Sequence, residues 1–222
     1  MNKVTIQLLN KKQLGTKLYK FVFNKPFNFE AGQFISVHVG GSIKRYYSIA
    51  SPPQESHINL YVTTMPGGPG SRFFEKLEVG DRMDLVGPLG KFIYRRKVDA
   101  CFVATGTGVA PLISIIKDQL YKQNQAELYL LYGVRYEDNV MIEEDLQELS
   151  EKYPNFKYNI TVSRPTKNWN GLTGRVTEHL KDVELSRYKD YYICGVKDMV
   201  LDVKNFLLDQ GIEESSIFSE LY

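Results

Sequence analysis

The 222-residue sequence predicts two domains: an antiparallel β-barrel over residues 1–96, followed by a doubly wound α/β domain with a parallel sheet over residues 97–222. The length lies between one and two domains and is enough to bury a sizeable core. Up to about residue 90, short β-branched or aromatic segments alternate with Gly, Pro and Asn. Beyond residue 98 the rhythm changes to near-continuous apolar runs, each followed by a helical pattern.

In order, the first half offers VTIQLL (4–9), KLYKFVF (17–23), QFISVHV (33–39), RYYSIA (45–50), HINLYVT (57–63) and RMDLV (82–86). Their composition and turn-rich spacing are those of strands in a barrel or sandwich. One helix interrupts them: SRFFEKL (71–77) places Phe73, Phe74 and Leu77 on one face. In the second half, DACFVAT, ELYLLYG, KYNITVS and DYYICG read as buried parallel strands. PLISIIKDQLYK, NVMIEEDLQELSEK, TGRVTEHLK and KDMVLDVKNFLLDQG supply the helices between them, and Ile217 and Phe218 begin a last short strand. The boundary falls near Arg95–Lys97.

Composition narrows the function. A net charge of +2 is too small for a nucleic-acid footprint. The basic cluster at 91–97 reads as a solvated strand edge. Two cysteines, Cys101 and Cys194, cannot build a disulfide framework or hold an iron–sulfur cluster or structural zinc alone. His38, His57 and His179 lack metal-ligand spacing, so no metal is expected. No apolar run approaches the roughly 20 residues that span a bilayer, and MNKVTIQLLNKKQLG does not resemble a signal peptide. A cytoplasmic protein without a membrane partner is the expectation, and the oligomeric state is left open.

In a doubly wound sheet, ligands sit beyond the carboxyl ends of the strands. Thr105, Gly106, Thr107, Gly108 and Pro111 follow the first such strand. The glycines permit a tight turn, and the helix that opens there offers bare N–H groups and a favourable dipole to a pyrophosphate. Pro111 suits a first helical turn. Taken alone, the turn is equally an ordinary glycine-rich strand–helix join.

In the barrel half, strand alternation puts Arg45 and Tyr47 on one face and Tyr46 and Ser48 on the other. An arginine beside a ring can hold a phosphate while the ring stacks on a planar group. Gly67, Gly68, Pro69, Gly70 and Ser71 then open the half's one helix, a second anion-competent turn unless Ser71 is a plain N-cap. Two such turns, one per domain, suggest two dinucleotides, a flavin and a nicotinamide.

The ordered set RYYS, GGPGS, VGPLG, GTGVAP, YICG and the closing ELY resembles the ferredoxin–NADP⁺ reductase family across essentially the whole chain. The resemblance implies FAD, in preference to FMN, bound by Arg45, Tyr46, Tyr47, Ser48, Tyr61, Val62, Thr63, Gly68, Gly70 and Ser71. It gives Arg45 the flavin phosphate, Tyr47 the isoalloxazine and Ser48 a hydrogen bond near N5. Thr105 to Pro111 match the nicotinamide dinucleotide turn. Cys194 matches the cysteine beside the nicotinamide, Glu220 an acid hydrogen-bonded to the Ser48 region, and Tyr222 an aromatic lid over the flavin. Ser48, Cys194, Glu220 and Tyr222 are thus the implied catalytic set.

A free ribose 2′-OH is usually read by an acid after the second strand. Here that strand ends in Arg135, with no acid until Glu137. Ser163-Arg164 and Thr173-Gly174-Arg175 follow the third strand, and the guanidinium fork suits a 2′-phosphate. NADP(H) is therefore expected over NAD(H), with ferredoxin or flavodoxin as electron partner. The alternatives are an NADH-linked reductase component of a multicomponent oxygenase, a non-enzymatic electron-relay subunit and a plain flavin reductase.

Overall fold

The structure, a computed structural model, describes residues 3–65 and 67–221. Its first half holds β1 (Lys3–Gly15), β2 (Leu18–Asn24), β3 (Phe34–His38), β4 (Lys44–Ser48), β5 (His57–Thr63) and β6 (Arg82–Leu89), with helix α1 (Pro69–Lys76) between β5 and β6. The sheet order is β4-β3-β6-β1-β2-β5, and every pairing is antiparallel. Just past β4, the Ala50 amide donates to the Asn59 carbonyl of β5 at 2.8 Å, which brings the two edge strands together and curls the sheet towards a barrel.

Alternation decides what fills that barrel. Phe21 and Phe23 on β2, Ile35 and Val37 on β3, and Ile58, Leu60 and Val62 on β5 are buried in one cluster. Phe74 of α1 completes it, with its ring centroid 4.9 Å from Phe21 and 4.7 Å from Tyr47. Truncating such a buried ring to alanine costs about 3–5 kcal/mol, so α1 is fixed to the sheet by the ring that follows its glycine-rich entry.

The second half is β7 (Ala100–Thr105), α2 (Val109–Tyr121), β8 (Leu128–Val134), α3 (Glu143–Lys152), β9 (Phe156–Val162), β10 (Leu172–Thr173), α4 (Val176–His179), β11 (Asp190–Gly195), α5 (Lys197–Asp209) and β12 (Ile217–Leu221). The strands are parallel, in the order β10-β9-β8-β7-β11-β12. From β7 the chain first builds outward through β8 and β9, then returns to lay β11 on the other side. The order therefore reverses between β7 and β11, where open α/β sheets form a ligand crevice.

The halves share a core: Ala31, Ala50, Tyr61 and Phe92 from the first half are buried with the apolar face of α2. Polar ties flank it. Ser114 Oγ donates to the Ser51 carbonyl at 2.7 Å, Gln54 Nε2 to Asp118 Oδ1 at 2.8 Å, and Thr16 Oγ1 to Asp138 Oδ2 at 2.6 Å.

The basic cluster at 91–97 departs from its expected form. It lies outside any strand, Phe92 is buried, and Arg96 reaches the fully buried Asp190 and the Ser216 hydroxyl. A buried carboxylate needs a charged partner, and this one takes it from the connecting segment. Among the described residues, no helix is long and apolar enough to cross a membrane.

Candidate functional site

At the reversal point, β7 leads into a tight helical turn at Gly106–Gly108 and then into α2. Gly106 has φ +55°, a left-handed conformation suited to glycine, and a Cβ there would meet nothing within 4 Å. The turn thus faces open space. Gly108 is the opposite case: its Cβ would lie 2.4 Å from the Cys194 carbonyl oxygen. Only glycine lets this turn press against the end of β11. Gly108 is also the N-cap of α2, with no side-chain cap and no acid in the first turn, so the helix start is free to favour an anion. Pro111 sits within that first turn.

Cys194 is fully buried, and in the sheet it stands between Ala104 of β7 and Glu220 of β12. Glu220 in turn hydrogen-bonds the Ser48 hydroxyl, so a residue at the end of the barrel's β4 meets the edge strand of the parallel sheet. Burial pushes the Glu220 carboxyl up to about 7, and the Ser48 hydrogen bond opposes the rise only in part. Glu220 Oε2 and Thr105 Oγ1 are both buried without a partner among the described residues. Buried polar atoms are rarely left so, and these two sit where the sheet opens, consistent with groups that wait for a ligand.

The barrel supplies a second cradle. Gly68 caps α1 without a side-chain bond, and the first turn carries no acid. Ser71 is the third residue of the helix, not its cap. A Cβ on Gly70 would fall 2.4 Å from the Tyr47 hydroxyl and 3.3 Å from Arg45 Cγ, so these three residues are packed together as strand alternation predicts. Tyr47 is half-buried, and its phenol is pushed up to about 12 by burial, with Arg45 opposing. Tyr46 points elsewhere: it is 60% exposed and packs edge-on against Phe34 at 5.4 Å. Tyr61 and Val62, 6% and 3% exposed, pack into the two cores, whereas Thr63 is exposed. An aromatic face, a cation and an uncapped helix start form a donor set that fits a flavin dinucleotide.

A cleft of about 970 Å³ lies between the halves. Thr16, Leu18, Thr63 and Met65 line it from the barrel, and Thr105, Gly106, Thr107, Gly108, Arg135, Ser163, Arg164 and Arg175 from the α/β side. Residues far apart in sequence meet here because pairing continues past the strands. The Ser163 amide donates to the Val134 carbonyl at 3.0 Å and the Arg164 amide to the Arg135 carbonyl at 2.8 Å. Thr161 Oγ1 donates to the Gly174 carbonyl at 2.9 Å, which sets Arg175 beside them. Arg45, Tyr47, Ser48 and Gly70 lie outside this lining, on the barrel's own cradle. The expected lid, Tyr222, lies outside the described residues.

Met65, Tyr136, Asn139 and Glu178, absent from the expected site residues, also line this cleft. For Glu178 a signal existed. It stands three residues after Arg175 and accepts the Arg175 amide at 3.2 Å, the pattern of an acid at a helix start. The other three carry none.

Two family descriptions match the two halves: an oxidoreductase FAD-binding domain over residues 5–94 and an oxidoreductase NAD-binding domain over residues 102–205. Ferredoxin–NADP reductase B of Sorangium cellulosum (strain So ce56) is 35% identical over 212 residues, which cover 89% of this chain and 87% of that protein. The chain belongs to the ferredoxin–NADP reductase family. In this family it has a solved structural relative at TM-score 0.85 and 26% identity, a ferredoxin NADP⁺ reductase from Neisseria gonorrhoeae with bound FAD and NADP, with 99% of this chain and 98% of that one covered. The anthranilate 1,2-dioxygenase electron transfer component of Acinetobacter baylyi is 30% identical over 204 residues; the match takes 89% of this chain but only 59% of that longer protein. As a member of the ferredoxin–NADP reductase family, the chain is an oxidoreductase with an FAD-binding domain followed by an NAD(P)-binding domain.

Proposed function

We propose that this oxidoreductase moves hydride between NADPH and its FAD and passes single electrons to a small carrier of the ferredoxin or flavodoxin type. The observation that carries the choice of NADPH is the grouping of Arg135, Arg164 and Arg175 with Ser163 on the cleft that also holds the Gly106–Gly108 turn. Guanidinium groups match the oxygens of a 2′-phosphate, while the bare start of α2 suits the pyrophosphate.

When bound, the flavin supplies a two-electron acceptor that can be emptied one electron at a time. The chain's own residues position and shield. Arg45 and the start of α1 hold phosphate charge, and Tyr47 offers its ring face. With its carboxyl pushed up to about 7, Glu220 can take up or release a proton near neutral pH beside the Ser48 hydroxyl, at the junction of the two sheets. Gly108, packed on the Cys194 carbonyl, brings the helix start close to the end of β11. The proposed roles of Ser48, Cys194 and Glu220 are to set orientation and proton supply, with no covalent step.

The relation to a dioxygenase electron transfer component favours a second reading, in which this chain serves as the reductase of a multicomponent oxygenase. One assay separates the two. Catalytic amounts of the FAD-loaded protein are mixed anaerobically with NADPH and either a ferredoxin or a flavodoxin. The proposal expects two carriers reduced per NADPH consumed, with far slower turnover on NADH. Turnover supported by NADH alone would favour the oxygenase reading.

A further inference from the structure

Glu137 is the first acid after β8, the place from which a carboxylate would read a ribose 2′-OH; the next, Asp138, is taken by the Thr16 hydroxyl of the barrel half at 2.6 Å. Arg135 and Tyr136, just before Glu137, line the nucleotide cleft, yet Glu137 does not. Its carboxylate is instead taken by Thr166. One oxygen accepts the Thr166 amide at 3.1 Å, and the other accepts the Thr166 hydroxyl in a short bond. Thr166 lies two residues beyond Arg164, whose amide is held by the Arg135 carbonyl. The two loops that carry the arginines are thus fastened twice, once by backbone and once by this side chain.

We propose that the Glu137–Thr166 pair is a specificity latch that sets the choice between phosphorylated and unphosphorylated nicotinamide dinucleotides. The inference rests on the NADPH reading given above. Fastened, Glu137 cannot turn to a 2′-OH, and its charge is drawn away from the place where the arginines would meet a 2′-phosphate. Thr166 supplies both donors, so loss of its hydroxyl halves the hold on the carboxylate. A released carboxylate would repel the dianionic phosphate and accept from a free hydroxyl. Both effects move the preference in the same direction. Glu137 and Thr166 act here through the arginine loops and touch no reacting atom; they are positioning residues.

The test is a double-mutant cycle on the FAD-loaded, full-length protein with Thr166→Val, Glu137→Gln and the two combined, and with Thr166→Ser as the conservative control. Steady-state constants are measured for NADPH and NADH with ferricyanide as acceptor, and dissociation constants for 2′-phospho-AMP and AMP. Thr166→Val keeps the shape and the amide but removes the hydroxyl. The latch predicts that it lowers the NADPH:NADH ratio of kcat/KM by about tenfold, the effect of one like charge brought within a few ångströms of a phosphate. The change should reside in KM, with kcat unmoved. Thr166→Ser should stay near the parent, and adding Glu137→Gln to Thr166→Val should restore the ratio, because the freed side chain then carries no charge. A loop merely loosened by the substitution would not be restored by a second one. A parent that prefers NADPH but keeps its ratio in Thr166→Val, or a double variant as impaired as the single, overturns the latch alone. A parent that prefers NADH and does not discriminate 2′-phospho-AMP from AMP overturns the NADPH reading and the latch with it.

Discussion

The Ser48 hydroxyl hydrogen-bonds the Glu220 carboxyl, so the last residue of the barrel's edge strand meets the edge strand of the parallel sheet. Burial holds that carboxyl near 7 against an ordinary value of 4.5. The raised value has a definite sign in stability. An acid that binds its proton more tightly when folded contributes fully at low pH, and the contribution is lost as pH climbs from about 4.5 towards about 7. Relative to Glu220→Gln, the apoprotein should therefore lose about 1–3 kcal/mol across that interval, then run parallel above it. Thermal unfolding of both forms from pH 4 to pH 8 checks this; a gap that stays constant with pH contradicts the raised value.

Gly70 is the contact on which the barrel's cradle turns. Gly70→Ala would set a methyl 2.4 Å from the Tyr47 hydroxyl, and Arg45 would have to move as well. Overpacking of this kind costs about 1–3 kcal/mol in stability. FAD retention through gel filtration should fall by more than the stability loss implies, because the displaced groups are the proposed flavin contacts. Arg45→Ala should weaken FAD binding while unfolding temperature changes little, since its side chain is exposed.

Gly108 poses the same question for the nucleotide. In Gly108→Ala the methyl would meet the Cys194 carbonyl oxygen at 2.4 Å and Gly195 Cα at 2.7 Å, both backbone atoms that cannot swing aside. The start of α2 must then back away from β11. The expectation is a loss of about 1–3 kcal/mol together with weaker binding of NADPH and NADH alike, measured by difference absorbance. A loss confined to NADPH would place the defect at the 2′-phosphate and contradict this assignment.

Arg164→Ala and Arg175→Ala separate the two nucleotides. Each removes a charge-assisted contact to the proposed 2′-phosphate, an effect of about 1.5–3 kcal/mol. The KM for NADPH should rise roughly tenfold or more, with that for NADH near its parent value. Equal losses with both nucleotides would assign the arginines a structural role.

Much of this was legible in the sequence because it is local. The β-branched and aromatic composition of HINLYVT and the near-continuous apolarity of DYYICG mark strands, and they appear as β5 and β11, each buried along nearly its whole length. The facing of Arg45 and Tyr47 follows from strand alternation. What could not be read are pairings fixed only by the fold. Asp190 is buried and draws Arg96 out of a cluster that looked solvated. Asp118 takes Gln54 from the other domain, and Glu137 takes Thr166 from the neighbouring loop. No spacing encodes such contacts, since each depends on loops that approach only after the sheets form. The start of α1 was misplaced for a local reason: Pro69 is compatible with a first helical turn, so the helix begins before Ser71, with Gly68 as its cap.

The central claim is that this chain passes reducing equivalents from NADPH to a bound flavin, and anaerobic stopped-flow absorbance of the FAD-loaded protein tests it most directly. The account predicts rapid bleaching of the flavin band with NADPH and bleaching at least about tenfold slower with NADH. A flavin that stays bound and oxidised with both nucleotides would contradict it.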